Sequence, residues 1–105
     1  MFNLNSKKIL ITGGSKGIGA ACVKYFCMAG ASVAFTYNSN PALAARLEKR
    51  FSKITKCKAY KVDISSEDEI KKTVQTMVKD FGRIDVLVNN AGIWQEGGIS
   101  KMKLS

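Results

Sequence analysis

The stretch that decides the fold is TGGSKGIG, residues 12–19. It follows a short apolar run, ILI at residues 9–11, and leads into a segment with apolar residues at helical spacing. A strand, a glycine-rich turn and a helix N-terminus in this order form a site for a nucleotide pyrophosphate. The glycines let the backbone approach closely, and the first N–H groups and positive dipole end of the helix meet the phosphates. The stretch therefore predicts a strand–turn–helix unit with a nucleotide site.

Strand and helix signals alternate along the chain. Strands are predicted at residues 8–12, 32–37, 57–62 and 84–88, and three helices lie between them. In the first helix, residues 17 to about 29, the apolar positions at helical spacing are Ile18, Ala21, Cys22, Tyr25, Phe26 and Ala29. The expected helix boundaries are an Asn40 cap followed by Pro41, a capping box of Ser66 and Glu69, and C-terminal glycines at Gly30 and Gly82.

Short connections and right-handed crossovers turn this pattern into a Rossmann-type α/β fold with a parallel sheet of strand order 3-2-1-4. The first two helices are expected on one face of the sheet and the third on the other. Because the chain reverses direction between strands one and four, a crevice opens at their C-terminal ends, where a ligand is expected. Residues 1–92 form the predicted nucleotide-binding domain, and residues 93–105 are predicted to be an exposed loop.

Length and composition indicate one small globular domain. The chain has 105 residues, of which 46% are hydrophobic and 24% are charged. No segment is apolar for long enough to cross a membrane, and residues 1–8 lack the apolar core of a signal peptide, so a cytoplasmic location is expected. Three cysteines without CxxC spacing and the absence of histidine argue against a metal site and exclude histidine-based catalysis. Cys22 is expected to be a small core residue.

The chain is strongly basic, with 17 Lys plus Arg against 8 Asp plus Glu and a net charge of +9. Such an excess can attract a polyanionic cofactor or nucleic acid. The basic residues are scattered through the predicted helices rather than gathered with aromatic residues, which favours solvated helix faces over a nucleic-acid surface. The basic residues in the predicted helices include Lys24, Arg46, Lys49, Arg50, Lys71 and Lys72.

A second motif, NNAG at residues 89–92, directly follows the apolar run VLV at 86–88. The first motif is not a P-loop, because Gly19 is followed by Ala20 rather than by Lys and Ser or Thr. Its TGxxxGxG spacing together with NNAG resembles the short-chain dehydrogenase/reductase family of the simple, single-domain type. The extended type would need glycine where this chain has Lys16. The resemblance covers the N-terminal half of a family member, and GGSKGIG, TYNSN and FGRIDVLVNNAGI are most similar to the 3-oxoacyl-carrier-protein reductase branch.

The resemblance implies a dinucleotide site and a preference for NADP over NAD. NAD-specific sites place a carboxylate at the end of the second strand, where this chain has Asn38 and Ser39. Lys16 matches a position that is basic in many NADP-preferring members, although a solvated loop lysine is the alternative. The implied cofactor-binding residues are Gly13, Ser15, Lys16, Gly17, Ile18, Gly19, Asn38, Ser39, Asp63, Ile64, Asn90, Ala91 and Gly92.

Individual roles follow from the same resemblance. Asp63 and Ile64 contact the adenine, because a carboxylate oxygen can accept a hydrogen bond from its exocyclic amine. Alternatively, Asp63 only helps to start the third helix. The segment 90–92 runs beside the cofactor ribose, and Asn89 ties the end of the sheet together. A purely structural role for Thr12 and Asn89 stays open.

The family's catalytic Tyr-x-x-x-Lys pair does not occur in this sequence. The three tyrosines, Tyr25, Tyr37 and Tyr60, have no lysine four residues on, so no catalytic residue is assigned. The implied reaction of the whole enzyme is hydride transfer between nicotinamide and a small carbonyl or secondary alcohol substrate, with this chain inactive alone and prone to self-association or to pairing with a complementing C-terminal half. The alternatives are a non-catalytic dinucleotide-binding module completed by a partner chain and a basic nucleic-acid binder.

Overall fold

A computed structural model describes residues 3–13, 17–63 and 65–89. Strands and helices alternate in these residues: β1 (Lys8–Thr12), α1 (Gly17–Met28), β2 (Ser32–Tyr37), α2 (Pro41–Phe51), β3 (Cys57–Lys61), α3 (Glu67–Phe81) and β4 (Val86–Asn89). All strand pairs are parallel, and the sheet order is β3-β2-β1-β4. The predicted fold class and strand order are confirmed. No helix among the described residues is both long and apolar enough to span a membrane.

The sheet is covered on both faces because the strand residues alternate in direction. On β1, Ile9 and Ile11 belong to a core with α1 and α2, whereas Leu10 belongs to a second core with α3. The first core also contains Val23, Cys27, Ala31, Val33, Phe35, Ala44, Phe51 and Cys57, and the second also contains Ala34, Met77 and Phe81. Two helices on one face and one on the other is the predicted arrangement.

The apolar face predicted for α1 is only partly the buried one. The fully buried residues of the helix are Gly19, Val23 and Cys27, and Cys22 and Phe26 pack beside them as partly buried residues. Ile18 and Tyr25, both assigned to the predicted face, are 74% and 52% exposed. Ala21, at the same spacing, is exposed as well. Helical spacing alone does not identify the face that meets the sheet, because α1 has apolar residues around its whole circumference.

Helix ends follow the predicted capping residues. Gly30 has φ of 96°, its N–H donates to the Cys27 carbonyl, and the Ala31 N–H donates to the Phe26 carbonyl, which is the Schellman arrangement. A Cβ at Gly30 would collide with the side chain of Asn5. In α2, Asn40 Oδ1 accepts from the backbone N–H of Leu43 at 3.2 Å, and Pro41 is the first residue of the helix.

The fourth strand begins two residues later than predicted. Asp85 Oδ2 accepts the backbone N–H of Lys8 at 2.8 Å, so a side chain takes the first donor of β1. Arg83 Nε holds the same carboxylate at 2.9 Å from Oδ1. These contacts lower the pKa of Asp85, the Lys8 N–H most of all. The Asp85 N–H also donates to the Lys8 carbonyl at 2.8 Å, and regular pairing with β1 starts at the next residue, Val86.

Candidate functional site

The first residues of the two predicted motifs meet at the C-terminal edge of the sheet. Thr12, the last residue of β1, is the register partner of Asn89, the last residue of β4. The Thr12 hydroxyl donates to Asn89 Oδ1 at 3.1 Å and lies 3.5 Å from the Val88 carbonyl oxygen. A hydroxyl has one proton, so the shorter contact is the effective bond. This bond fixes the start of the glycine turn beside the start of NNAG.

The glycine turn is also tied to the neighbouring strand. The Gly13 N–H donates to Thr36 Oγ1 at 3.0 Å, and Gly13 has φ of 70°. Thr36 is only 5% exposed and lies near the end of β2. Sequence reasoning missed this residue. The available signal was a threonine directly after the apolar run VAF, because a buried hydroxyl needs a hydrogen-bond partner.

The N-terminus of α1 follows the turn. Gly17 has φ of 61°, and a Cβ there would meet no atom of the described residues within 4 Å, so its backbone conformation rather than crowding favours glycine. Gly19 is buried against the sheet, and Ile18 points outward. The first turn of α1 contains no acidic side chain. Such a helix start can receive an anion through its N–H groups and dipole.

The ends of the other two strands reach the same edge, because parallel strands end on one side of a sheet. Asn38 and Ser39 follow β2 and are exposed, and neither is a carboxylate. Asp63 lies two residues beyond β3 and is also exposed. The described candidates therefore lie on consecutive connections along one edge, in the order Asp63, Asn38, Gly13.

Asp63 is held in a compact turn. Its Oδ1 accepts from the Ser65 hydroxyl at 2.7 Å and from the Ser65 N–H at 3.0 Å. Both bonds lower the pKa of Asp63, and the bond from the Ser65 hydroxyl has the larger effect. The carboxylate is therefore ionised at neutral pH. The predicted capping box is half formed: Ser66 Oγ accepts from the Glu69 N–H at 3.3 Å, but the Glu69 carboxylate accepts from the Asp63 N–H instead of returning to Ser66.

The described residues thus bring together Gly13, Gly17, Ile18, Gly19, Asn38, Ser39 and Asp63 at or near one edge of the sheet. Six further candidates lie outside the described residues: Ser15, Lys16, Ile64, Asn90, Ala91 and Gly92. The predicted loop at 93–105 also lies outside them. Within the described ranges, no cluster of three or more histidine, cysteine or carboxylate side chains could hold a metal ion.

Known proteins share both the sequence and the fold. The chain is 43% identical over 99 residues to a probable NADP-dependent mannitol dehydrogenase of Yarrowia lipolytica, covering 91% of this chain and 35% of the relative. It is 37% identical over 100 residues to a 3-oxoacyl-[acyl-carrier-protein] reductase of Thermotoga maritima, covering 95% of this chain and 41% of the relative. A crystal structure of a short chain dehydrogenase from Burkholderia cenocepacia in complex with NADP superposes with a TM-score of 0.84 at 35% identity, over 89% of this chain and 38% of that one.

The chain therefore spans about two fifths of the length of these proteins. The family model for short chain dehydrogenases matches residues 7–105, nearly the whole sequence. Neither the nucleic-acid reading nor the non-catalytic reading gains support from these similarities. The glycine turn, the strand order and the matched residues agree, and the chain belongs to the short-chain dehydrogenase family.

Proposed function

We propose that this chain is the cofactor-binding part of an NADP-dependent oxidoreductase, which transfers hydride between nicotinamide and a small carbonyl or secondary alcohol substrate. The observation that carries the proposal is the bond between Thr12 and Asn89, which sets the residue that opens the glycine turn beside the first residue of NNAG. A dinucleotide needs such a pair of neighbouring connections, since it lies across the C-terminal ends of the strands.

The pyrophosphate binds at the start of α1 in this proposal. Gly17 and Gly19 shape the turn and the close helix–sheet contact, and Gly13 starts the turn in its positive-φ conformation. Ser15 and the backbone N–H of Ile18 contact the phosphates. The outward position of Ile18 fits this role, because its side chain leaves the helix start open.

The remaining candidates bind different parts of the cofactor along the edge of the sheet. Lys16 and the polar pair Asn38 and Ser39 receive the 2′-phosphate, with the lysine supplying the charge. Asp63, together with the residue after it, Ile64, contacts the adenine. The segment NAG, comprising Asn90, Ala91 and Gly92, runs beside the ribose, where small residues permit close approach of the backbone.

The preference for NADP rests on charge. The connection after β2 offers no carboxylate to repel a 2′-phosphate, and the chain carries a net charge of +9. Two of the similar proteins support the same choice, since one is named NADP-dependent and the other was solved with NADP. The substrates in the relatives' names differ, mannitol in one and a 3-oxoacyl-[acyl-carrier-protein] in another, so the proposal goes no further than a carbonyl or alcohol. The cytoplasmic location stays a prediction.

The test compares NADPH with a polyanion that lacks its shape. Thermal unfolding is followed with NADPH, with a single-stranded RNA oligonucleotide and with neither. The six basic helix residues named above are all exposed and scattered, so RNA is expected to leave the melting temperature nearly unchanged. NADPH is expected to raise it, because a ligand that binds only the folded state stabilises that state. A larger shift with RNA than with NADPH would contradict the proposal and support nucleic-acid binding.

A further inference from the structure

The turn after β3 uses almost every polar group of Asp63. The Asp63 N–H donates to Glu69 Oε1 at 3.0 Å, and the Asp63 carbonyl accepts from the Ser66 N–H at 2.9 Å. The carboxylate oxygen Oδ1 accepts from both donors of Ser65, at 2.7 and 3.0 Å. Among the described residues, no donor contacts Oδ2. Asp63 Oδ2 is therefore the acceptor that can bind a ligand, and the other polar groups of Asp63 are held by the turn.

The position of the Glu69 carboxylate is not explained by helix capping. A capping box would return this side chain to the N–H of the cap residue, Ser66. That N–H donates to the Asp63 carbonyl instead, and Glu69 reaches three residues further back to the Asp63 N–H. Ser66 Oγ still caps the helix by accepting from the Glu69 N–H at 3.3 Å. The Glu69 side chain thus stabilises the turn rather than closing a capping box.

We infer that Glu69 and Ser65 are positioning residues that aim Asp63 Oδ2 at the exocyclic amine of the cofactor's adenine. The inference rests on the proposed function, in which Asp63 lies at the adenine. The bond would be charge-assisted, since an ionised carboxylate accepts from a neutral amine, and such bonds depend on geometry. Glu69 touches no part of the cofactor in this account and acts only through the backbone of Asp63.

A comparison of two cofactors isolates this bond. Reduced nicotinamide hypoxanthine dinucleotide phosphate has a carbonyl oxygen where NADPH has the adenine amine, so an ionised carboxylate repels it. The ratio of its Kd to that of NADPH reports the aim of Asp63, whereas a general loss of stability changes both Kd values together. For the unmodified chain we expect a ratio of roughly ten or more, the scale of one charge-assisted hydrogen bond.

The variants dissect the turn. Asp63→Asn, whose amide can offer a donor to the hypoxanthine carbonyl, should bring the ratio close to one. Glu69→Ala and Ser65→Ala should each reduce it by about threefold or more, because each removes an acceptor or donor that fixes Asp63. Glu69→Gln keeps an acceptor oxygen and should restore the ratio. Glu67→Ala is the matched control, since Glu67 is exposed in the same helical turn and its ion pair is with Lys71.

The outcomes separate the inference from the proposed function. If the unmodified chain binds neither cofactor, the proposed function fails. If it binds NADPH and discriminates through Asp63, but Glu69→Ala and Ser65→Ala leave the ratio unchanged, the positioning role is wrong and the function stands. A folded Glu69→Gln that behaves like Glu69→Ala also overturns the inference. Should Glu69→Ala not fold, Ser65→Ala decides, because it keeps the Ser65 N–H, the Ser66 cap of the helix and the bond from the Asp63 N–H to Glu69.

Discussion

Thr12 and Asn89 are joined by a hydrogen bond from the Thr12 hydroxyl to Asn89 Oδ1, 3.1 Å long, at the C-terminal ends of β1 and β4. The two residues are 77 positions apart in the chain and are register partners in the sheet. Thr12 is 2% exposed, so the bond is shielded from water on its side. The contact places the first residue of NNAG against the residue that opens the glycine turn.

Removing this hydroxyl should weaken both the fold and the site. Thr12→Val keeps the branched shape and loses the donor, so we expect the free energy of unfolding to fall by about 1–2 kcal/mol. Thr12→Ser keeps a donor and should retain most of the stability. Urea unfolding measures both variants. A valine variant as stable as the original chain, beside a weaker serine variant, would show that the methyl group matters and the bond does not.

The contact between Tyr60 and Asp80 should make stability depend on pH. The Tyr60 hydroxyl donates to Asp80 Oδ2 at 2.7 Å, and Lys58 Nζ lies 3.5 Å from the same oxygen. Tyr60 is the main cause of the lowered pKa of Asp80, and Lys58 adds to it. Burial, followed by the bond to Asp80, raises the pKa of Tyr60. The contact therefore links the edge strand β3 to the last turn of α3.

The direction of the pH effect follows from these shifts. A carboxyl pKa below its unfolded value stabilises the fold above about pH 4, and this contribution is lost as the pH falls towards the folded pKa. A tyrosine pKa above its unfolded value stabilises the fold below about pH 10 and is lost at higher pH. Tyr60→Phe should therefore cost more stability at pH 7 than at pH 3, as measured by urea unfolding. An equal cost at both values would mean that the contribution of the Tyr60 hydroxyl does not depend on the ionisation of Asp80.

The chain by itself should not turn over substrate. General acid–base catalysis needs a group within reach of the reacting oxygen, and the sequence has no tyrosine with a lysine four residues on. NADPH oxidation with a panel of ketones and 3-oxoacyl thioesters is expected to stay at the buffer blank. Turnover that is abolished by Tyr25→Phe, Tyr37→Phe or Tyr60→Phe would show that one of these tyrosines is catalytic.

Exposed apolar surface should make the chain self-associate. Met28 is 64% exposed on α1, a helix whose only charged residue is Lys24. Among the described strands β4 pairs with β1 alone, and Val86 on it is 41% exposed. An apolar helix face and an open strand edge both favour association. Light scattering should show concentration-dependent oligomers, and thermal unfolding should sharpen when NADPH is added.

A matched pair of lysine variants tests the helix face. Met28→Lys should reduce association, because it places a charge on the exposed face of α1. Ile54→Lys is the control, since Ile54 is 57% exposed but lies outside α1. A monodisperse monomer that melts sharply with or without cofactor would contradict the prediction.

Local sequence signals predicted the architecture because the strand interiors and helix ends are marked by residue type. The apolar runs before Gly13 and Asn89 form adjacent strands, and Asn40, Ser66, Gly30 and Gly82 lie at helix ends as predicted. The buried face of α1 was not predictable in the same way. Its apolar residues surround the helix, so burial is decided by where the sheet lies.

The contacts that shape the site depend on residues distant in sequence or on turn geometry. Thr36 is 23 residues from Gly13, and no local pattern pairs them. Glu69 was predicted to close a capping box, but the turn after β3 brings the Asp63 N–H within its reach, and the Ser66 N–H has already found the Asp63 carbonyl. Such competition between acceptors is settled by the path of the backbone.

The most direct test of NADP binding is an equilibrium titration of NADPH and NADH into the chain and its Lys16→Ala variant. We expect saturable binding with NADPH tighter than NADH, and a loss of about 1–2 kcal/mol for NADPH alone in the variant, the scale of one charge-assisted hydrogen bond. Equal losses for both cofactors would remove Lys16 from the 2′-phosphate site. No saturable binding of either cofactor to the folded chain would contradict the account as a whole.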